Sequence, residues 1–465
     1  MPLSYSRSEK SNCNLLFRSL NRNFAGEMAK KKKKKRRLKL WVKVVLWCMA
    51  LALGTWIIWW PANTLHEYWA EAYVEEPEET VSKTSDTAPT HEADSVMTER
   101  LLRFIASPTR LDTTDIAVSV WDLSSNTPVL QWHDQELMVP ASSLKLLTAI
   151  SALKRLGVDH RYHERVMITG SVHGGTLKGN VILQADDNPM VETLNEYVDA
   201  LSRAGIRKVE GRFILNLMRA DTLRAHHTAS FWDIPYNRTP ILLKGAPRIV
   251  QEIRTLLRQR GIDTPRPEVE EGLRVYPVTR TLMNRSTRMT EVIAPMLIHS
   301  SNIKADALHH HVHNYYNRYI PTAGNREGAL DAFLRENLSY DTSNFTLNDG
   351  SGLSPENMVT ADFLLALLRY AWTEPDIKQV LIHEALATPG HPTRRGSLIY
   401  RMNGPLFHNR IFCKTGTLTS IGASSLCGYA HGRNGRWYAF AIINRNSPVG
   451  ESRLYQDMLC KVLVK

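Results

Sequence analysis

The sequence predicts an α+β fold: an antiparallel sheet flanked by helices, interrupted by an inserted α+β region and preceded by an N-terminal transmembrane helix. Three observations predict it. Residues 44–60 run without a charge. Residues 161–285 alternate short strands, Gly turns and helices. The flanking segments instead carry apolar residues at helical spacing and finish in alternating strands, the pattern of one sheet built from both ends of the chain.

Composition limits the partners first. The 465 residues hold 58 Lys and Arg against 46 Asp and Glu, a net charge of +12. Residues 1–43 alone contribute 14 basic and 2 acidic residues, so residues 44–465 balance at 44 of each sign. The excess is a tail rather than a folded basic surface, which argues against nucleic-acid binding. Cys413, Cys427 and Cys460 are too few and too scattered for a disulfide framework or a zinc site. One bridge among them is possible, and buried free thiols are the commoner fate.

In chain order, residues 1–39 form a basic cytoplasmic tail, with Met28 the expected true start just before the Lys30–Lys39 block. Residues 40–60 form a signal anchor. Their apolar run is long enough to span a bilayer, and Trp41, Trp47, Trp56, Trp59 and Trp60 sit near its ends. A cleaved signal peptide is the rival, but no small-x-small site follows directly. The positive-inside rule places everything after Pro61 in the extracytoplasmic space, the periplasm. Residues 61–97 read as a flexible acidic linker. Residues 98–160 and 286–465 form the main domain and 161–285 the insertion. Within the main domain the spacing predicts a helix from Glu99 to Ile105, a strand over Ile116–Asp122 and a second over Pro128–Trp132. A helix bearing Leu146, Leu147, Ile150 and Leu153 then ends at Gly157. Helices over 292–299, 302–316 and 360–371 follow. Strands lead through Lys414 and Asn434-Gly435, and a last helix covers 451–464.

Three motifs carry chemistry. Ser142-Ser143-Leu144-Lys145 sets a hydroxyl and an amine one helical turn apart on one face. Ser300-Ser301-Asn302 is a polar knot between apolar helical stretches. Lys414-Thr415-Gly416-Thr417 lies on a C-terminal strand. Each has a plain structural reading, as a helix cap for the serines or a solvated strand residue for Lys414. S-x-x-K, S-x-N and K-T-G in this order form a joint signal for a serine nucleophile served by a lysine base. Ser143 is the competing nucleophile, but it faces about 200° away from Lys145. His309, His310, His311 and His313 are read as a surface stripe on a helix, since no acid or thiol is paired with them as a metal ligand.

With Asp349-Gly-Ser-Gly-Leu-Ser354 and Gly428-Tyr429, these motifs resemble the penicillin-binding DD-peptidases, in particular the D-alanyl-D-alanine carboxypeptidase/endopeptidase family with an interrupted catalytic domain. The resemblance covers roughly residues 98–465. It implies a serine β-lactamase/DD-peptidase α/β sandwich, no cofactor and no metal, and peptidoglycan stem peptides as substrate with β-lactams as acylating inhibitors. It also implies site roles. Ser142 attacks the penultimate D-Ala carbonyl, and Lys145 is the base, its pKa lowered by partial burial and the Lys414 ammonium. Ser300 relays a proton to the leaving amine. Asn302 binds the substrate amide, Lys414 and Thr415 the terminal carboxylate. Gly416 lets substrate approach the strand, and the Ser142 and Thr417 N–H groups meet the oxyanion.

Two other readings stay open, a β-lactamase-like hydrolase and a non-catalytic wall-binding protein on the same fold. The insertion departs from the family pattern. Only 158 residues separate Ser142 from Ser300, and Ala185-Asp186-Asp187-Asn188-Pro189-Met190 stands where a G-D-P-T-L element is expected.

Overall fold

The computed structural model describes residues 94–229, 239–319, 329–338, 340, 343 and 345–465. The chain divides into two units, residues 1–87 and 88–465, and all described residues fall in the second. The basic tail, the segment over 40–60 read as a membrane span, and the linker up to residue 93 lie outside the described residues. Among the described residues no helix is long and apolar enough to cross a membrane.

The first helix, α1 (Ser95–Ala106), starts inside the stretch expected to be linker. Asp94 is its cap, accepting the Met97 N–H at 2.9 Å, and Met97, Leu101, Phe104 and Ile105 are buried. The hairpin β1 (Ile116–Asp122) and β2 (Thr127–Trp132) follows. A 3₁₀ turn over Ala141–Leu144 then leads into α2 (Lys145–Leu156), which stops where Gly157 takes φ 90° and returns its N–H to Leu153.

The next stretch builds separate sheets. These are β3 (Arg161–Ile168), β4 (Ser171–His173), β5 (Thr176–Lys178) and β6 (Val181–Ala185), then α3 (Asn195–Arg203), β7 (Lys208–Val209), β8 (Phe213–Leu217), α4 (Ala246–Gln259), β9 (Glu268–Glu271) and β10 (Arg280–Arg288). The larger sheet runs β10-β3-β6-β8-β9, with β4-β5-β7 beside it in the topology as a three-stranded sheet. Its edge strands are charged on both faces, so neither showed a period-2 pattern. Strand β10 also continues to Arg288, past the boundary expected at 285, because it pairs with β3 all the way to Arg161. An apolar core that includes Val181, Leu183, Tyr197, Phe213, Ile249 and Ile253 belongs to this region.

The chain then returns through α5 (Met289–Ile298), α6 (Asn302–Tyr319), α7 (Ala329–Asn337), α8 (Ala361–Thr373) and α9 (Pro375–Val380). It ends in the meander β11 (Ile411–Leu418), β12 (Ala423–His431) and β13 (Trp437–Asn444), and α10 (Val449–Val464). The N-terminal hairpin adds to that meander, giving an antiparallel sheet in the order β11-β12-β13-β1-β2 with Ile116 opposite Asn444. The second core joins α2, α5 and α8 to this sheet through Leu147, Ile150, Val292, Met296, Phe363 and Tyr429. The fold is therefore mixed α+β. Cys413, Cys427 and Cys460 are buried free thiols.

Helix α2 depends on this core. Leu147 is fully buried in it, so Leu147→Ala is expected to lower stability by about 2–5 kcal/mol. Urea denaturation measures it, and a loss under about 1 kcal/mol would contradict the packing described.

Candidate active site

Ser142 sits on a turn that the chain must be forced to make. Ala141 takes φ 46°, left-handed for a residue with a Cβ. Three contacts hold it there. Ser425 Oγ donates to the Pro140 carbonyl at 2.6 Å, and Ser143 Oγ donates to Ser425 Oγ at 2.7 Å. From the other side Gly352, itself at φ 73°, lies so close that a Cβ would fall 1.8 Å from the Ala141 oxygen. Ser143 is thus a buried structural hydroxyl rather than a competing nucleophile.

Gly416 proves to serve the same turn. A Cβ there would lie 2.1 Å from Ser425 Oγ and 2.6 Å from the Pro140 oxygen. The glycine admits the nucleophile turn against β11, a role the sequence did not reveal.

Lys145 is fully buried, and its Nζ donates to three oxygens: Ser142 Oγ at 2.8 Å, Asn302 Oδ1 at 2.7 Å and the Ser351 carbonyl at 2.6 Å. The Ser351 carbonyl is presented by a loop folded around Asp349. Its carboxylate accepts from the N–H groups of Ser351, Gly352, Leu353 and Ser354, at 2.5–3.3 Å. The neighbouring Gly350 carbonyl accepts from Thr148 Oγ1 at 2.6 Å, so α2 and this loop are joined twice. Burial pulls the Lys145 amine down to about 8, against the raising pull of the Asp306 and Asp349 carboxylates.

Lys414 is equally buried. It donates to Ser300 Oγ at 2.9 Å and to the Thr415 carbonyl at 2.5 Å. Burial, and then the charge of Lys145, hold it well below its ordinary value. Sequence reasoning assigned the Lys414 ammonium a part in depressing Lys145. In the structure burial is the largest cause at both lysines, and repulsion between the two amines acts on each alike. Ser300, at φ 57°, is bonded to Lys414 rather than Lys145. The Asn302 carbonyl oxygen is taken by Lys145, which leaves its amide N–H₂ for other partners.

Strand β11 is an edge strand. The N–H and C=O of Cys413 face outward and pair with Ala387, at 2.9 and 3.1 Å. Backbone groups alternate in direction along a strand, so those of Thr415 and Thr417 face the same open edge. Their hydroxyls have local partners. Thr415 Oγ1 donates to Ser397 Oγ at 2.8 Å; Thr417 Oγ1 donates to the Gly416 carbonyl at 2.7 Å and accepts from Arg453 Nη2 at 3.0 Å.

The histidines on α6 are not a surface stripe. His311 is buried against Tyr162 and His160, with ring centroids 4.7 and 5.3 Å away, and His309 packs on Gly350. Burial lowers both, His309 to about 4 and His311 to about 3. Among the described residues no cluster of ligand-forming side chains could hold a metal. In the insertion, Asn188 donates to Glu164 and Thr287, at 2.6 and 2.9 Å, and Asp187 lies 3.5 Å from Arg219. Lys304 of α6 reaches the Pro189 carbonyl at 3.5 Å, bringing this segment beside the helix that carries Asn302.

A serine hydroxyl on a constrained turn, bonded to a buried and partly neutral amine, defines an active-site serine hydrolase with a lysine base. The D-Ala-D-Ala carboxypeptidase 3 (S13) family model matches residues 97–237 and 243–460, and the chain belongs to that family. It is a serine-type D-Ala-D-Ala carboxypeptidase. The chain is 26% identical over 417 residues to carboxypeptidase Rv3627c of Mycobacterium tuberculosis, covering 80% of this chain and 84% of that one. It is 34% identical over 165 residues to the D-alanyl-D-alanine carboxypeptidase of Actinomadura sp. (strain R39), covering 34% of this chain and 29% of that relative's length. Its fold is similar to penicillin binding protein 4 (dacB) of Haemophilus influenzae, with TM-score 0.59, 18% identity, 74% of this chain covered and 96% of that one.

An amine near pH 8 dictates a pH profile. Acylation by benzylpenicillin should rise about tenfold per pH unit below about 8 and level off above it, as Lys145 loses its proton. Asp306→Asn removes a carboxylate that favours the ammonium, so the limb should move to lower pH. A limb that stays put or moves up would contradict the assignment, and stopped-flow acylation rates across pH 5–10, roughly the range in which such an amine titrates, measure it.

Proposed function

We propose that this chain is a membrane-anchored D-Ala-D-Ala carboxypeptidase acting on peptidoglycan stem peptides through a Ser142 acyl-enzyme, with endopeptidase action on cross-links a second use of the same site. The observation that carries the reading is the set of partners around Lys145. Once neutral, its amine keeps two N–H donors. Asn302 Oδ1 and the Ser351 carbonyl accept hydrogen bonds and have no proton to give. Both donors go there, and the lone pair is left facing the Ser142 hydroxyl.

The steps follow from that geometry. Ser142 Oγ bonds to the penultimate D-Ala carbonyl carbon while its proton passes to Lys145. Negative charge on the carbonyl oxygen is met by the Ser142 N–H and by the Thr417 N–H on the open edge of β11. The C–N bond breaks, and the departing amine takes the proton that Lys145 had received, passed on through the Ser300 hydroxyl that Lys414 orients, so that Lys145 is neutral again. Water then attacks the ester, Lys145 again serving as base, and Ser142 regains its proton. The Asn302 amide donates to the stem peptide. A cross-link offers the same D-Ala carbonyl with a longer amine as leaving group, so the chemistry is unchanged. The β-lactam complex solved for the Haemophilus influenzae protein supports acylation by such drugs here.

The anchor rests on the uncharged residues 44–60 behind the basic block. It places the enzyme in the inner membrane with its catalytic domain in the periplasm.

Fluorescent penicillin should label the wild-type chain covalently and leave Ser142→Ala unlabelled. An unlabelled wild type, or a label that turns over within seconds, refutes the reading. Separately, the full-length protein should stay in the membrane pellet through alkaline carbonate extraction, and its release to the supernatant would remove the anchor.

A further inference from the structure

The insertion carries a basic cleft that the chemistry above leaves unused. From residue 44 onward the chain balances its charges, yet residues 244–267 hold six Lys and Arg against two Asp and Glu. Helix α4 sets Arg254 and Arg258 one turn apart along the cleft, and Arg266 lines it from the segment leading into β9. The cavity between them measures about 1100 Å³ and is also lined by Val250 and Pro267.

All three guanidiniums are exposed. Among the described residues no carboxylate lies within ion-pair distance of any of them. The acid that shares the cleft, Glu268, is engaged by Arg212 at 2.6 and 2.9 Å. Arg260, just past the helix, is by contrast spent on Asp199 at 2.9 Å. Three positive charges set along a concave surface, with the neighbouring acid neutralised, suit a chain that carries several anions.

The cleft begins beside the catalytic helix. Ala246 and Pro247 line its near end, three residues after Leu243, which packs with Ile303 and Ala307 of α6. Asn302, the first residue of that helix, binds Lys145. Three residues reach roughly 11 Å at most, and the helix from Ala246 to Arg258 adds roughly 18 Å. The arginines thus stand within roughly 30 Å of α6. None of them touches the residues around Ser142, so a peptide terminus held there does not meet them. A polymer bearing further stem peptides spans the gap. Every uncleaved stem peptide ends in a carboxylate, so the polymer presents such anions in series.

We propose that this cleft binds the carboxylates of stem peptides neighbouring the one being cleaved, and so holds the enzyme on polymeric peptidoglycan. This rests on the peptidase reading above. Arg254, Arg258 and Arg266 serve retention on the polymer and take no part in the reaction.

The test uses the full chain in detergent and insoluble peptidoglycan stripped of attached phosphate polymers. Wild type should be retained on it, less so as salt screens the cleft. Arg254→Gln, Arg258→Gln and Arg266→Gln combined should weaken retention roughly 3- to 100-fold, the range for three exposed charge pairs. Lys at the same three positions should restore part of it, keeping the charge without the fork. Amidating the polymer's carboxylates should bring wild type down to the level of the Gln variant. On a soluble peptide ending in D-Ala-D-Ala the two should have equal kcat/KM, while D-Ala release from the insoluble polymer falls with retention. Thermal melts check that these exposed substitutions leave the fold intact. Unchanged retention in the Gln variant, indifference to amidation, or an equal loss on the soluble peptide overturns the proposal. So does competition by anionic phospholipid added to the micelles, which would make the cleft a lipid site. A wild type that cleaves neither substrate refutes the peptidase reading instead, and the retention measurements then still judge the cleft.

Discussion

Everything in this site follows from burying an amine. Removing Lys145 from water disfavours its ammonium form, and a bare amine in an apolar core would leave polar hydrogens unsatisfied. The chain resolves both at once. It surrounds Nζ with three oxygens, two of which are acceptors only, so the one polar group able to give a proton is the Ser142 hydroxyl. The base is thereby aimed as well as activated. The strained Ala141 turn, the Asp349 loop and the absence of side chains at Gly352 and Gly416 are the supports that keep Ser142 within 2.8 Å of it.

Those supports come from widely separated parts of the sequence, and each does a different job. Helix α2 carries the base, the α5–α6 junction brings Ser300 and Asn302, and the 349–354 loop contributes a backbone oxygen. Strand β11 forms the opposite wall. Asp349 is the organiser that touches no reacting group: a carboxylate accepting four consecutive N–H groups fixes the loop as tightly as a bound anion would. The α6 histidines press on the same loop from behind, through His309 against Gly350.

Much of this was legible in the sequence because it is written in side chains. Ser142, Lys145, Ser300, Asn302 and Lys414 announce themselves by residue type and spacing, and the sheet by its alternation. The Ser351 carbonyl could not be found that way, since a backbone acceptor has no residue signature; the glycines and aspartate of its loop were the available signal. The turn-side role of Gly416 went unseen and the histidines were misread for a related reason. A glycine shows that space is needed without showing on which side, and a polar helix face looks exposed until Tyr162 and His160 are known to cover it. The strands β9 and β10 were missed because edges are charged where interior strands are apolar.

The pairing of β1 with β13 joins residue 116 to residue 444, which bears on how the enzyme comes into being. The strands of the insertion's larger sheet are contiguous in sequence and can assemble as the ribosome delivers them. The main sheet cannot, because its centre is missing until nearly the last residues emerge, and contacts this distant in sequence form slowly. The Lys414 wall of the site arrives with those same strands. An interrupted translation product therefore carries the serine and its lysine but no cleft to work in, and hydrolytic capacity appears only when synthesis is complete.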